Sequence, residues 1–482
     1  MRIKTLLPLL LAGASLSACA VGPDYQRPVT ALPAQFAGQA AVDARAAPAA
    51  SADLVSWWKS FDDPLLAAFV ERALARNLDL EQALARVSQS RAALHSATAA
   101  LLPSGQVSGQ AAASRQSLET PSGRIGNALG ADRDGELYEL DLGASWEVDV
   151  FGGLRRSQEA AQAQWQASGA AAMGTRLAIA AQTADTYVTI RGLQARLAIA
   201  QHQVETQQKL VDTVTLQYRK GIAAELQLRQ AEGALAQVQS TVPVLENALD
   251  VAENALDVLM GDQTGTSRAQ LAADMPIPAA PAIATADGPA ALLRRRPDII
   301  AAERTLVATN AGIGQAMAEY FPKFSLSGLL GTATTGPAGL FTGAATQGTA
   351  AIGLRWRLFD FGRIDAEIKA ARGRDAEALA AYRLTVLHAS EDVENAFSAL
   401  VKREAQEQTL ATGEASLTRA RDASLAAYKG GVVSLIEVLD ADSRLLATRD
   451  ARAQAQTEAT RAAIASFRAL GGGWDGQVTK RS

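Results

Sequence analysis

Two carboxylates in the last tenth of the chain have the spacing needed for a shared electrostatic task. Glu437 and Asp440 are three residues apart, which places both on one face of a helix. Carboxylates gathered at a constriction attract cations and repel one another, so such a face can select charge or open under its own repulsion. An ordinary solvated helix face has the same spacing, and the pair by itself leaves both interpretations open.

Side chains that perform metal or thiol chemistry are scarce. The 482 residues include one Cys and three His, and His95, His202 and His388 share no ligand spacing; we therefore predict no metal site. Gly312-Ile-Gly314 lacks the third glycine and the preceding strand of a dinucleotide site. The net charge is −4, without the cationic excess that a nucleic-acid partner requires. The composition argues against an enzyme, a bound cofactor and nucleic-acid binding.

The cysteine follows a segment with the layout of an export signal. Residues 1–18 begin with two basic side chains, continue with the apolar run Leu6 to Ala12 and end in small residues directly before Cys19. This order resembles a bacterial lipobox, in which the cysteine is acylated and becomes the mature N-terminus. An ordinary signal peptide with an incidental cysteine is the alternative. Ala20 rather than Asp comes next, which by analogy with bacterial lipoproteins implies delivery to the outer membrane.

The chain contains an internal duplication. Trp146 to Gly152 (WEVDVFG) matches Trp356 to Gly362 (WRLFDFG) at a shift of about 210 residues, and upstream a shift of about 219 takes Pro103 to Pro322. The shift changes between these points, where Glu119 to Asp134 is rich in Gly, Pro, Asn and Asp and predicts a long exposed loop. An ordered series of matches over most of the chain indicates two repeats.

Each repeat changes its periodicity along its length. Apolar residues recur at helical spacing from Leu65 to Leu101 and alternate strictly with acidic and small residues from Tyr138 to Val150. Similar alternation predicts strands at Phe324 to Leu330 and Ile352 to Leu358, while Val107 to Ala113 is the weakest of the four strands. A helical pattern of about 65 residues then follows in both repeats, on the order of 100 Å long at 1.5 Å per residue.

The strands suggest a way of crossing a membrane. No segment after the signal reaches the roughly 18 to 20 apolar residues of a membrane-spanning helix, and in lipid the alternative is a closed set of strands. Four strands cannot close a barrel, for which about eight is the practical minimum. Three copies would supply twelve, so the pattern predicts a homotrimer. A pair of soluble, half-buried hairpins is the alternative.

Several short motifs occur in a fixed order along the mature chain. They are Val21-Gly-Pro-Asp-Tyr25 with Arg27-Pro28, Arg295-Arg-Pro-Asp-Ile299, Tyr320-Phe-Pro322 before Ser325-Leu-Ser-Gly328, and Leu358-Phe-Asp-Phe-Gly-Arg363. In these motifs and in its duplicated frame, the chain resembles TolC-like outer membrane factors of the NodT/OprM lipoprotein type, over almost the whole mature sequence. The resemblance implies a mainly α fold with a small β part: a long α-helical barrel plus four β-strands per chain, which complete a 12-stranded β-barrel as a homotrimer.

The resemblance also implies a function. It predicts the outer membrane channel of a tripartite efflux system, exporting drugs or other small toxic molecules, anchored in the outer membrane by the lipid on Cys19 and extending into the periplasm. A periplasmic adaptor and an inner-membrane pump of the RND type are the expected partners, and no cofactor is expected besides the lipid. A channel for protein secretion and an acylated structural lipoprotein of the envelope are the alternatives.

The acidic face acquires a role through the same resemblance. Glu437 and Asp440 match the acidic aperture rings of TolC-like channels, and Tyr428 is a candidate contact of the closed state. Val433 and Gln227 stand where TolC has an Arg and an Asp that bridge its closed aperture. That particular latch is therefore absent from this chain.

Two glycine-containing junctions interrupt the longest helical patterns at equivalent places and predict reversing turns. The resemblance makes these tips the contact sites of the adaptor, although plain hairpin turns need the same glycines. Cations there also suit the ends of the incoming helices. The tip residues are Arg219, Lys220 and Gly221 in the first repeat and Lys429, Gly430 and Gly431 in the second.

These boundaries predict the organisation of the whole chain. In order, the segments are a signal peptide (1–18), an acylated linker (19–55), a first repeat (56–262; strands about 104–150, long helices about 155–260), a linker (263–290), a second repeat (291–470; strands about 323–361, long helices about 364–470) and a flexible tail (471–482).

Overall fold

A computed structural model describes most of the chain. The described residues are 20–45, 53–273, 275–283, 285 and 288–475. Cys19, the signal segment and most of the predicted tail lie outside them. The chain forms two compact units, whose described parts comprise residues 20–28, 88–167 and 303–381 in the first unit and residues 29–45, 53–87, 168–273, 275–283, 285, 288–302 and 382–475 in the second.

Helices dominate both repeats. The α-helices are α1 (Gln39–Asp43), α2 (Pro64–Arg76), α3 (Leu78–Ala99), α4 (Pro121–Ala128), α5 (Gly153–Arg219), α6 (Glu225–Gln239), α7 (Thr241–Leu259), α8 (Arg268–Leu271), α9 (Leu292–Arg295), α10 (Pro297–Ala318), α11 (Arg363–Lys429) and α12 (Leu435–Ala469). Short 3₁₀ helices occur at Trp57–Phe61, Pro289–Ala291, Pro337–Gly339 and Gly343–Ala345. The strands are β1 (Ser104–Arg115), β2 (Asp134–Val148), β3 (Lys323–Thr334) and β4 (Thr346–Arg355).

The first unit contains one antiparallel sheet in the order β1-β2-β3-β4. Residues directly opposite each other on neighbouring strands share a face, so the register sorts the side chains. One face is mostly apolar and includes Val107, Leu140, Leu142, Trp146, Val148, Phe324, Leu326, Leu330, Ile352 and Leu354, with Arg115, Asp134 and Glu136 towards one end. The opposite face is largely polar and includes Gln106, Ser108, Glu139, Asp141, Glu147, Ser325, Ser327 and Arg355. The predicted strands with two different faces are confirmed.

The duplication extends to individual hydrogen bonds. The Trp146 indole N–H donates to the Leu101 carbonyl at 2.9 Å, and the Trp356 indole N–H donates to the Tyr320 carbonyl at 3.0 Å. These two bonds are related by the shifts of about 210 and 219 residues found in the sequence. Both hairpins are therefore built to the same plan, as the repeat predicts.

Strand β4 is shorter than its alternation predicted. Ile352 to Leu358 was expected to be extended throughout, but β4 ends at Arg355. Its partner β3 begins at Lys323, which lies opposite Arg355. Residues beyond Arg355 have no ladder partner on that side, because a strand lasts only as long as its neighbour offers backbone hydrogen bonds.

The predicted long loop from Glu119 to Asp134 contains the helix α4. Thr120 accepts a hydrogen bond from the Gly123 amide at 3.2 Å through its side chain, and Pro121 occupies the first turn. A Thr cap followed by proline favours a helix start, because the missing proline N–H is one that a helix leaves unpaired anyway. Proline therefore begins a helix here.

The predicted helix from Leu65 to Leu101 is divided into α2 and α3 at Asn77. The Asn77 side-chain oxygen accepts from the amides of Asp79 and Leu80 at 2.9 and 3.0 Å, and its Nδ2 donates to the Leu259 carbonyl at 2.9 Å. An Asn that caps the next turn takes the backbone out of the helix.

The long helices of the prediction are confirmed, with one interruption. Both α5 and α11 contain 67 residues. After the first tip the chain breaks into α6 and α7 at Ser240, whereas α12 runs on for 35 residues. Pro243 explains the break, because its backbone nitrogen has no hydrogen to donate to the Gln239 carbonyl and its ring collides with that carbonyl. In the described residues, no helix combines the length and the apolar character needed to span a membrane.

The second unit is held together by aromatic packing and by ion pairs between α5 and α12. Trp57 stacks on Phe467 with ring centroids 5.4 Å apart. Arg461 Nε lies 2.7 Å from an Asp185 carboxylate oxygen, and Arg196 Nε lies 2.6 Å from Asp450. These contacts fix the two helices side by side below the tips.

Candidate functional site

The two hairpin tips have the same backbone geometry. Gly221 and Gly431 both have φ of 72°, a left-handed conformation that favours glycine. The amide of Ile222 donates to the Gln217 carbonyl at 2.8 Å, and the amide of Val432 donates to the Ala427 carbonyl at 2.9 Å. These bonds close the last turn of α5 and of α11 as in a Schellman motif. The predicted reversing turns are therefore present.

The tips expose more than the predicted cations. The six predicted tip residues are all exposed; they are Arg219, Lys220, Gly221, Lys429, Gly430 and Gly431. Beside them, Ile222 is 74% exposed and Val432 is 79% exposed, and Leu226 and Ile436 are 66% and 59% exposed. Each of these apolar side chains has its counterpart at the shift of 210 residues. That repetition was visible in the sequence, but the sequence reasoning missed it.

Glu437 takes part in the start of α12. The Ser434 hydroxyl donates to the Glu437 carboxylate, which lowers the pKa of Glu437 and keeps it ionised. At the first tip, Gln227 Oε1 accepts from the Ala224 amide at 3.0 Å. The two equivalent side chains thus both reach back over the first turn, one charged and one neutral.

Asp440 has a partner one turn further along α12. Arg444 Nε lies 2.9 Å from its carboxylate, and both side chains are exposed. In the first repeat the equivalent position holds Gln230. The helix therefore carries both predicted carboxylates at exposed positions three residues apart, and each has a local partner.

Tyr428 joins the two helical hairpins, since it lies on α11 and bonds to a residue of α5. Its hydroxyl donates to Gln217 Oε1 at 2.9 Å, across 211 residues of sequence. Burial raises the pKa of Tyr428, so the hydroxyl keeps its proton at neutral pH. Tyr428 was predicted as a closed-state contact, but nothing in the sequence pointed to Gln217 as its partner.

Below the tips lies a buried carboxylate that the sequence reasoning missed. Asp442 is 3% exposed and its nearest cation is Arg421, with Nε 3.6 Å from Oδ1. Burial raises the pKa of Asp442. It borders a cavity of about 340 Å³ that Lys209 and Tyr428 also line. In the sequence, Asp442 could have been recognised as a carboxylate within the apolar stripe of α12 that Leu435, Val438 and Leu445 form.

The three histidines are not brought together into a ligand set. His388 Nδ1 lies 3.1 Å from Glu391 of its own helix, and His202 lies 3.9 Å from Glu205. Within the described part of the chain, no three His, Cys, Asp or Glu side chains are grouped so that they could hold a metal ion.

The chain combines two 67-residue helices, matched hairpin tips and a sheet with one mostly apolar face. The sequence model described as "Outer membrane efflux protein" matches residues 69–262 and 289–472. The chain belongs to this family.

Individual proteins and structures agree with this assignment. The chain is 33% identical to the pyoverdine export outer membrane protein OpmQ of Pseudomonas putida, covering 99% of this chain and 98% of that protein. It is 28% identical to nodulation protein T of Rhizobium leguminosarum bv. trifolii, covering 95% and 96%. The solved structure of the outer-membrane channel OprN has a TM-score of 0.85 at 32% identity, covering 95% of this chain and all of that one.

These findings confirm the predicted family, the mainly helical fold with a small antiparallel sheet, the outer membrane location and the function as an efflux channel. The members of the family are channel proteins that work in tripartite systems with an adaptor and a pump.

Proposed function

We propose that the hairpin tips form the gate of the channel and that Glu437 and Asp440 set its charge. The observation that carries this proposal is the difference between two tips of the same backbone geometry. The helix after the second tip exposes two carboxylates where the helix after the first has Gln227 and Gln230. In a homotrimer, three of six hairpins then bring six carboxylates to one aperture.

A ring of carboxylates acts on ions in a narrow aperture. It concentrates cations there and disfavours anions, and cations held between the carboxylates impede flow through the closed end. The pKa of Glu437 is lowered by the Ser434 hydroxyl, so its charge persists at neutral pH. Tyr428 and Gln217 tie the hairpins of one chain together and are the candidate closed-state contact.

Opening requires a partner that prefers the open tips. An adaptor that binds open tips more tightly shifts the population towards the open state. The tips offer it exposed apolar side chains at Ile222, Leu226, Val432 and Ile436 together with the cations Arg219, Lys220 and Lys429. Apolar anchors ringed by charge are typical of a docking surface.

The energy for transport comes from the pump, for which we propose the RND type on the basis of the sequence motifs. The chain itself carries out no catalysis and needs no cofactor besides its lipid. Small molecules are the proposed cargo, and the pump selects among them.

The proposed lipid on Cys19 suits the position of the residue after it. The Val21 amide donates to the Phe151 carbonyl at 3.0 Å, and Ala20 lies against Gly152, where an added Cβ would be 2.6 Å from the Ala20 Cα. Ala20 and Val21 thus lie beside the end of β2. An acyl chain on Cys19 would enter the bilayer next to the strands.

The gate is tested by removing charge while keeping the helix start. In the double variant Glu437→Gln and Asp440→Asn, Gln can cap α12 as Gln227 caps α6. We expect a higher leak conductance in planar bilayers and a cation-to-anion permeability ratio reduced severalfold, because the aperture no longer holds cations.

Glu391→Gln is the matched control, since it removes an exposed carboxylate far in sequence from both tips. It should leave conductance and ion preference unchanged. If the double variant behaves like this control in both measurements, the carboxylates have no part in the gate.

A further inference from the structure

The cavity beside Asp442 has walls from both helical hairpins. It measures about 340 Å³, and its lining includes Lys209 of α5, Tyr428 of α11 and Asp442 of α12. The proposed gate uses Tyr428 but gives the cavity itself no role. A cavity of this size can enclose a small organic molecule, and the side chains around it indicate which kind.

The inner end of the cavity contains two buried polar atoms without hydrogen bonds. Asp442 is 3% exposed, and its Oδ1 lies 3.6 Å from Arg421 Nε. Among the described residues, neither of these two atoms has a hydrogen-bond partner. Arg421 Nη1 lies 3.3 Å from Asp422, but that contact leaves Nε unpaired. Buried polar atoms are normally paired, because an unpaired one has given up its hydrogen bonds to water.

A hydroxyl group matches both atoms at once. The Arg421 Nε–H is a donor, and Oδ1 of an ionised Asp442 is an acceptor. A hydroxyl has one hydrogen to donate and two lone pairs that accept, so it can bridge the two atoms. A carboxylate in the same place would be repelled by Asp442, and an ammonium group would be repelled by Arg421. The inner end therefore favours a hydroxyl over a charged group.

The walls between the inner end and the opening are apolar. Leu210 and Val438 line the cavity and are 7% and 1% exposed, and Leu425 lines it beside them. Apolar walls of this kind suit a hydrocarbon ring or chain, whose transfer from water is favourable.

The opening of the cavity is cationic. Lys209 and Lys429 both line it and are both exposed, as is His202. Among the described residues that line the cavity, Asp442 is the one carboxylate, and it lies at the buried end. An anionic group at the opening is therefore attracted by the two lysines.

From these three regions we infer that the cavity is a binding site for an aromatic hydroxy acid. The hydroxyl of the ligand lies between Arg421 Nε and Asp442 Oδ1, its ring lies against the apolar walls, and its carboxylate faces Lys209 and Lys429. The site is distinct from the proposed gate and does not depend on it, because binding is measured without any measurement of conductance.

Three related probes test the hydroxyl and the carboxylate separately. They are 6-hydroxy-2-naphthoate, 2-naphthoate, which lacks the hydroxyl, and 2-naphthol, which lacks the carboxylate. Equilibrium dialysis against the full-length protein in lipid nanodiscs, with empty nanodiscs as the blank, measures the affinity of each probe. We expect saturable binding of one 6-hydroxy-2-naphthoate per chain, at least tenfold tighter than 2-naphthoate and severalfold tighter than 2-naphthol.

Two variants locate the binding. Thr206→Phe places a ring in the cavity from the α5 wall and should abolish binding, while its melting temperature reports whether the fold is kept. Lys209→Gln should weaken binding of the two acids by about two- to fivefold, as expected for an exposed ion pair, and leave 2-naphthol unchanged. Lys402→Gln is the matched control, since it removes an exposed cation of α11 that does not line the cavity.

Each measurement has a result that would overturn the inference. Equal affinities for 6-hydroxy-2-naphthoate and 2-naphthoate would show that no hydroxyl lies between Arg421 and Asp442. Unchanged binding in Thr206→Phe would place the probe elsewhere on the protein, and the absence of saturable binding would exclude the site. In all three cases the conductance test of the gate keeps its own outcome.

Discussion

At the scale of single residues, the first turns of α12 carry two carboxylates with close partners and one carboxylate that is poorly paired. Glu437 and Asp440 have partners on their own helix start or face, whereas Asp442 is buried with Oδ1 3.6 Å from Arg421 Nε, beyond hydrogen-bond reach. Desolvation penalises the charged form of such a group. The α12 stripe therefore contains a carboxyl whose protonation is linked to stability.

The pH dependence of this linkage has a definite sign. Burial raises the pKa of Asp442 above its ordinary value, so its protonated form stabilises the fold fully below about pH 3.9, and this contribution is lost as the pH rises through the raised pKa. Asp442→Asn cannot ionise. We expect its melting temperature in detergent to exceed that of the wild type above the raised pKa and to depend less on pH.

Glu391→Gln is the control for this experiment, since it removes an exposed carboxylate that lies far in sequence from Asp442 and from both tips. Its profile of melting temperature against pH should run parallel to that of the wild type. A parallel profile for Asp442→Asn as well would show that Asp442 is not linked to folding.

At the scale of elements, the long helices α5 and α12 approach each other closely at Gly192, which has no side chain. A Cβ added at Gly192 of α5 would lie 2.3 Å from Thr457 Oγ1 and 2.7 Å from Thr457 Cγ2 on α12. The close approach lies between the two ion pairs that join these helices along the chain, Arg461–Asp185 and Arg196–Asp450. Glycine is required here by packing rather than by backbone conformation.

Two glycine substitutions should therefore have opposite effects. Gly192→Ala is expected to destabilise the protein by about 1–3 kcal/mol, because it overpacks the contact with Thr457. Gly233→Ala, in α6 with no atom within 4 Å of the added Cβ, is expected to stabilise by about 0.5–1 kcal/mol through helix propensity. Chemical denaturation in detergent measures both.

Truncating the Thr457 side chain, which faces Gly192, checks the predicted effect of Gly192→Ala. Thr457→Ala in the Gly192→Ala background should restore part of the lost stability, since it removes the two atoms nearest to the new methyl group. Equal losses in the single and double variants would place the effect outside this contact.

At the scale of the whole molecule, one chain supplies only part of the strands that a closed barrel requires. The four strands in the part of the chain that the structure describes leave two edges open, and about eight is the smallest number that closes a barrel. Neighbouring copies are therefore expected to complete the barrel, and the proposed lipid on Cys19 should be present in the same particle. One mass measurement gives both the number of chains and the acyl groups that they carry.

Native mass spectrometry of protein extracted in detergent should show a trimer in which each chain begins at Cys19 and carries acyl groups. The Cys19→Ser variant should lose the acyl mass. We expect its trimers to persist, because the strand edges rather than the lipid hold the copies together. A stable, acylated monomer as the main species would contradict the proposed assembly.

The sequence by itself determined the duplication, a helical pattern of about 65 residues in each repeat and the four strands, because periodicity and repetition are local signals that need no partner. It also placed the tips and the two exposed carboxylates, since a glycine turn and a spacing of three residues belong to one short segment. Residues whose roles depend on distant contacts escaped it. Asn77 divides a helix while bonding to Leu259, and β4 ends where β3 begins. Tyr428 meets Gln217 across 211 residues, and Asp442 is buried by neighbouring helices. Only the tertiary structure decided these, because burial and strand pairing are properties of what folds against a segment and not of the segment itself.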